Sequence, residues 1–215
     1  MPTRRLPLLL SSLALGAALA GCGGSPPARY HTLQAPLDAA ASTRHANYLI
    51  EVAPVSVPMQ ADQPQIMLRN DAGSLTPLYS DRWSAPLADE IGAALSDTLT
   101  RSLGTLDVRT IKPAEGAPVW RVQADVQRFD MIEGGPARID ATWRVRPLHL
   151  AGASTLACRS IVTVPAGAGA GVAPLVQAQQ RAIALLGATM ASAIQAGGRE
   201  ASPPSAEVQL AGCTK

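Results

Sequence analysis

The chain has 215 residues, 47% of them hydrophobic but only 3% aromatic, with 16% charged residues and a formal net charge of +2. That length suffices for one domain, whose core must be built from Leu, Val, Ile and Ala. Two of the positive charges, Arg4 and Arg5, fall in a leader, so the remainder is close to neutral and offers no electrostatic case for a nucleic-acid partner.

Residues 1–21 have the build of an export signal: Arg4 and Arg5, the apolar stretches Leu6 to Leu10 and Leu13 to Ala20, then small residues. The stretch is shorter than the about 20 apolar residues a spanning helix needs. It ends in Leu19-Ala20-Gly21-Cys22, which resembles the lipobox of bacterial lipoproteins. That resemblance implies lipidation at Cys22: its thiolate is the nucleophile that accepts a diacylglycerol, the signal is cut before it, and the new amino terminus is acylated. Each buried methylene contributes about 0.8 kcal/mol, so three acyl chains hold a protein on a membrane. Gly23, where aspartate would suggest inner-membrane retention, resembles the outer-membrane class.

Residues 22–46 read as a lipidated tether. Gly23 to Ala28 is Gly/Pro/Ser-rich, Arg29 to Leu33 is a short candidate edge strand, and 34–46 is an Ala/Pro/Ser-rich linker. The folded domain is expected over 47–196. Tyr48 to Val55 suits a central strand ending at Pro54. Residues 58–64 connect it to a strand at Gln65 to Arg69. Asn70-Asp71-Ala72-Gly73 makes a hairpin turn, and Ser74 to Tyr79 returns as a strand that Pro77 confines to an edge.

A helix follows, with Ser84 as N-cap, Pro86 in the first turn and Asp89 and Glu90 as solvated acids at the dipole's positive end. Its apolar stripe is Leu87, Ile91, Leu95, Leu99 and Leu103, and Gly104 ends it. Leu106 to Ile111 alternates and predicts a strand. Val119 to Phe129 alternates most clearly, and Ile139, Ala141, Trp143 and Val145 alternate with Arg138, Asp140, Thr142, Arg144 and Arg146. With a turn at 133–136 between them, these two runs predict a long antiparallel hairpin with one apolar and one polar face. A third strand spans about Ser154 to Val164, and Ala166 to Gly171 is a loop. A second helix covers about Val172 to Gln195, with Leu175, Ala178, Ala182, Leu185 and Thr189 on one face. Residues 197–215 read as a flexible tail. The fold class is α+β: two amphipathic helices packed on a mostly antiparallel sheet, a two-layer sandwich.

Signals for chemistry are few. His31, His45 and His149 are not at metal-ligand spacing, and Gly167 to Gly171 lacks the pattern of a phosphate-binding loop. No catalytic residue, metal or cofactor is assigned. Cys158 and Cys213 either bridge in an oxidising compartment or stand as free thiols; the sequence leaves both open. Arg138, Arg144 and Arg146 on one polar face either receive phosphate headgroups or an acidic partner, or are solvated or paired with Asp125. Trp83 is either a core residue at the helix start or an interface anchor.

Several segments together resemble the PqiC family of ABC-type transport auxiliary lipoproteins. They are the lipobox; Tyr30-His31-Thr32-Leu33; Tyr48 to Val55 with Val57-Pro58; Gln65 to Arg69; and Asp81-Arg82-Trp83-Ser84-Ala85-Pro86-Leu87 entering a helix. The low aromatic content, the alanine-rich linker and the cysteine pair depart from the family's pattern. The resemblance implies a non-enzymatic, periplasm-facing lipoprotein, anchored by its acyl chains at the outer membrane. It would serve an MCE-domain protein and its ABC permease and ATPase in lipid transport between membranes, supporting envelope integrity, with lipids and further copies of itself as other partners. A lipoprotein that binds lipid or a small ligand on its own is the alternative.

Overall fold

The two longest strands set the frame of the sheet. The structure, a computed structural model, describes residues 26–34, 45–70, 73–168 and 171–215. Cys22, the linker stretch 35–44 and two residues of the 166–171 loop lie outside the described residues. β1 (Arg29–His31), β2 (Leu49–Val52), β3 (Gln65–Arg69) and β4 (Leu75–Trp83) precede α1 (Leu87–Leu103). β5 (Val119–Ile132), β6 (Ala137–Leu148) and β7 (Leu156–Val164) follow, then α2 (Ala173–Gln195) and β8 (Val208–Thr214).

In the β5/β6 hairpin, Val122 faces Val145, Ala124 faces Trp143 and Val126 faces Ala141, all turned to the core. A bulge between Val126 and Arg128 then changes the parity of β5. An extra residue in one strand moves every later side chain to the opposite face. Phe129 and Met131, opposite Ile139 and Ala137, therefore carry the apolar face onward, and β5 runs to Ile132.

The eight-stranded sheet has the order β1-β4-β3-β5-β6-β7-β8, with β2 also paired to β5. β2 lies parallel to Val119–Val122, while β3 lies parallel to Met131–Ile132, so two short strands share one edge of β5. The pairs β3/β4, β5/β6, β6/β7 and β7/β8 are antiparallel. Pro77 is accommodated because β1 pairs only with Asp81–Trp83, leaving the Leu75–Tyr79 half of β4 an edge.

Both helices cover one face of this sheet. The α1 stripe is fully buried, and Gly104 closes the helix in the left-handed conformation at φ 62°, its N–H bonding Thr100 O at 3.0 Å. Pro86, not Ser84, occupies the N-cap position, and no side chain caps the helix. α2 packs against both α1 and β5–β7. That double contact buries Ile183, Leu186 and Met190 along with Leu175, Ala178, Ala182 and Thr189, while Leu185 is only half-buried. Gly187 sets how closely the helices meet, since a Cβ there would lie 2.8 Å from Thr98 Cγ2. The result is an α+β fold, two helices on a mostly antiparallel sheet.

Leu106 to Ile111 forms no strand: the segment makes one parallel bridge, Ile50 to Asp107, and both Leu106 and Ile111 are exposed. The Asp107 carboxylate accepts the Val52 N–H at 3.2 Å, so a side chain replaces the next rung of a ladder. Residues 197–215 are not a flexible tail, because Val208–Thr214 forms β8, paired antiparallel to β7.

Candidate functional site

The first surface of interest is where the chain arriving from Cys22 joins the domain. β1 lies parallel to the end of β4, with Arg29 opposite Asp81 and His31 opposite Trp83. Arg29 donates to the Asp81 carboxylate through Nε at 2.9 Å and Nη2 at 2.7 Å. His31 Nε2 lies 2.8 Å from Asp81 Oδ1. An ionised carboxylate only accepts, so the ring nitrogen donates. The Arg29 guanidinium, and then His31, hold the Asp81 carboxyl below the usual aspartate range, against the opposing effect of burial.

Beyond β1 the chain is clamped by both helices. Leu33 is 1% exposed, and its N–H donates to Glu90 Oε2 at 2.8 Å. Thr32 Oγ1 donates to the same oxygen at 2.8 Å, and Ser84 Oγ donates to Oε1. Gln180 of α2 donates from Nε2 to Thr32 O at 2.9 Å. Glu90 is therefore a buried clamp and not a solvated first-turn acid. The helical period carried the signal: Glu90 stands one residue from Ile91 and three from Leu87, on the flank of the buried stripe. The tether expected over 22–46 is part of the fold from Arg29 to Gln34.

The second surface is the sheet face opposite the helices. Arg144 and Arg146 are exposed there, and Arg138 is half-buried with its Nε unpartnered. Arg144 donates to the Gln123 amide oxygen from Nε at 3.1 Å. Arg146 stands directly opposite Arg121, a like-charge pair that is unfavourable unless countered. Glu51 counters Arg121 at 2.9 Å, whereas Arg146 makes no ion pair among the described residues. The expected pairing with Asp125 does not occur. Asp125 faces Thr142 and accepts from Gln127 at 2.7 Å. Other carboxylates do pair, under covering arginines: Asp130 with Arg69 at 2.8 Å, and Asp140 with Arg159 at 2.7 Å. The Arg159 guanidinium holds the Asp140 carboxyl below its ordinary range. The charge this face presents to solvent is thus mainly positive.

Trp83 belongs to the core. It is 4% exposed and meets Phe129 edge-on at 6.0 Å, so its ring is not available to a partner. Cys158 of β7 and Cys213 of β8 are directly opposed, with Cα atoms 4.1 Å apart and sulfurs bonded. A cleft of about 490 Å³ opens beside the start of α1, where Val52, Val55 and Ala88 alternate with Glu51, Asp89 and Arg109. Among the described residues no group of three His, Cys, Asp or Glu could hold a metal, and no helix is long and apolar enough to cross a membrane.

The fold is an α+β domain with its amino-terminal lead built into the sheet edge. The sequence matches the family of ABC-type transport auxiliary lipoprotein components over residues 31–191, and the chain belongs to that family. The match begins within β1, in agreement with the docked lead. Membership places the chain in the cell envelope, associated with an ABC transport system. Solved structures share the fold. One, an uncharacterized protein, is 15% identical with a TM-score of 0.64, covering 79% of this chain and 99% of that one. Another, protein XCC0632 of the DUF330 family from Xanthomonas campestris, is 18% identical with a TM-score of 0.55, covering 81% and 94%. No curated protein matches the chain.

Proposed function

We propose that this protein is a lipid-anchored, non-enzymatic auxiliary subunit of an MCE/ABC-type system that moves lipids between the two membranes and supports envelope integrity. Acyl chains on Cys22 hold it at the outer membrane, facing the periplasm, and the domain meets the MCE-domain protein, which connects it to the permease and ATPase. Its mechanism is positional. The observation that carries the reading is the docked lead: Arg29 to Gln34 is fixed to Asp81, Glu90 and Gln180, so an anchor at Cys22 fixes where the whole domain stands.

The sheet face with Arg138, Arg144 and Arg146 is the surface proposed for an acidic partner or a phosphate headgroup. Self-association belongs to the same proposal, and native mass of the extracted complex measures it. For the alternative, a lipoprotein that binds lipid or a small ligand on its own, the cleft beside α1 is one available volume among the described residues. Its mixed charged walls suit a polar ligand better than an acyl chain. Metabolic labelling with palmitate tests the anchor. Wild type should carry label and sediment with membranes, and Cys22→Ala should lose both; a Cys22→Ala protein that keeps its label and its membrane association contradicts it.

A further inference from the structure

Seven Cα-to-Cα steps separate Cys22 from Arg29, which bounds their distance at about 25 Å. Arg29 itself does not swing free, because both of its donors to Asp81 are engaged. The lead itself forms the outermost strand of the sheet, β1, at the end opposite β8. Whatever surface holds Cys22 therefore lies within about 25 Å of Arg29 at the β1/β4 corner.

That corner has a composition of its own. The chain has three tyrosines, and two are here, both outward: Tyr30 is 66% exposed and Tyr79 is 73% exposed. They are neighbours through one arginine. Tyr30 stands opposite Arg82 in the β1/β4 register, and Arg82 Nε donates to the Tyr79 carbonyl at 3.4 Å. Arg29, its side chain 66% exposed although paired with Asp81, stands beside them. Rings with a polar tip, flanked by arginines, are suited to headgroup depth: the ring meets the acyl boundary while the hydroxyl and guanidinium meet phosphate and water.

We propose that the β1/β4 corner, with Arg29, Tyr30, Tyr79 and Arg82, is the face by which the domain lies against the phospholipid headgroups of the membrane holding Cys22. The inference rests on the anchor reading above. Its geometric consequence is that the free edge of β8, six strand spacings or roughly 29 Å away across the sheet, is turned from the bilayer.

Photocrosslinking in the native envelope tests it, with p-benzoylphenylalanine in place of Tyr30, Tyr79 or, as control, Ile111, an exposed side chain on the loop before β5. Irradiation should give phospholipid adducts at 30 and 79 and none at 111. Protein adducts without lipid at 30 and 79 overturn the inference in favour of a protein partner, and equal lipid adducts at all three positions overturn the orientation. The mass of Cys22 in the same samples separates the two readings. Acylated protein without lipid adducts at 30 and 79 sinks this inference alone, and unacylated protein sinks the anchor together with it. A second measurement needs no photoreactive residue. Neutron reflectometry on supported bilayers carrying the acylated chain should show protein against the headgroups, with a water layer opening in Tyr30→Ser/Tyr79→Ser; a water layer already present in wild type contradicts the proposal.

Discussion

Glu90, in the first turn of α1, accepts the backbone N–H of Leu33 at 2.8 Å across 57 residues of chain. The bond fixes the end of the amino-terminal lead, Arg29 to Gln34, to the folded domain. Leu33 is buried, so its N–H has no water to turn to. Glu90→Ala should destabilise the fold by about 1–3 kcal/mol, the cost of an orphaned buried donor. For a chain of this size that is a fall in Tm of about 2–4 °C per kcal/mol. Glu90→Gln, which keeps one acceptor, should recover part of it. Hydrogen exchange at Leu33 locates the effect: protection lost there first supports the clamp, and protection lost evenly across the sheet contradicts it.

Gly198 gives the sharpest steric prediction. A Cβ at this position would sit 1.7 Å from Ser154 O, and the backbone is at φ +72°. Gly198→Ala therefore combines a backbone collision with a left-handed conformation and should destabilise well beyond the about 1 kcal/mol typical of point substitutions. Gly73, at φ +86° with nothing within 4 Å, is the matched control. Gly73→Ala carries only the conformational cost, about 1–2 kcal/mol. Denaturant midpoints of the two variants should separate clearly; equal midpoints would show that Ser154 moves aside freely.

The Cys158–Cys213 bond closes a separation of 55 residues. Chain entropy sets its contribution at about 4 kcal/mol as an upper value. Reduction, or Cys158→Ala/Cys213→Ala, should lower the guanidinium midpoint and release β8, seen as fast exchange of Val208 to Thr214 with β7 still protected by β6. Alkylation of both cysteines in the non-reduced protein would refute the bridge.

Acid should act through two aspartates. The Arg29 guanidinium beside Asp81, and the Arg159 guanidinium beside Asp140, hold both carboxyls below the ordinary range. An unfolded aspartate titrates near 3.9. A group whose folded pKa is depressed contributes fully above its unfolded pKa, and that contribution is lost as pH falls through the folded value. For these two groups Tm should hold down to about pH 4–5 and then fall, with a shallower fall in Asp81→Asn/Asp140→Asn. An unchanged acid slope in that variant would assign acid sensitivity to other groups.

The parts of the fold legible in the sequence are those whose pattern depends on nothing distant. Trp120 to Val126 and Ile139 to Val145 alternate because one face is core and the other solvent. The Leu87-to-Leu103 stripe repeats because one helix face is covered. β8 follows Pro203-Pro204, carries Gly212, and offers only Val208 and Leu210 to a core; its reason for being a strand is β7 and Cys158. Leu106 to Ile111 fails for the opposite reason, a good alternation in which the segment's own Asp107 carboxylate takes the Val52 N–H that a second backbone rung would use. At the candidate site, sequence picks out Arg138, Arg144 and Arg146 as sharing a face with no way to see which acids lie across from them. The helical period places Glu90 on the flank of the buried stripe, but the partners that bury it and Asp81 lie more than 50 positions away and leave no local signal.

The central claim is a docking role in lipid transport, and a crosslinked pull-down of the lipidated chain from its native envelope tests it most directly. The MCE-domain protein of the same system should be recovered with wild type, and Arg144→Glu/Arg146→Glu should reduce the yield. Recovery of the chain without any MCE-domain protein, while Cys22 is acylated and the domain folded, would contradict it.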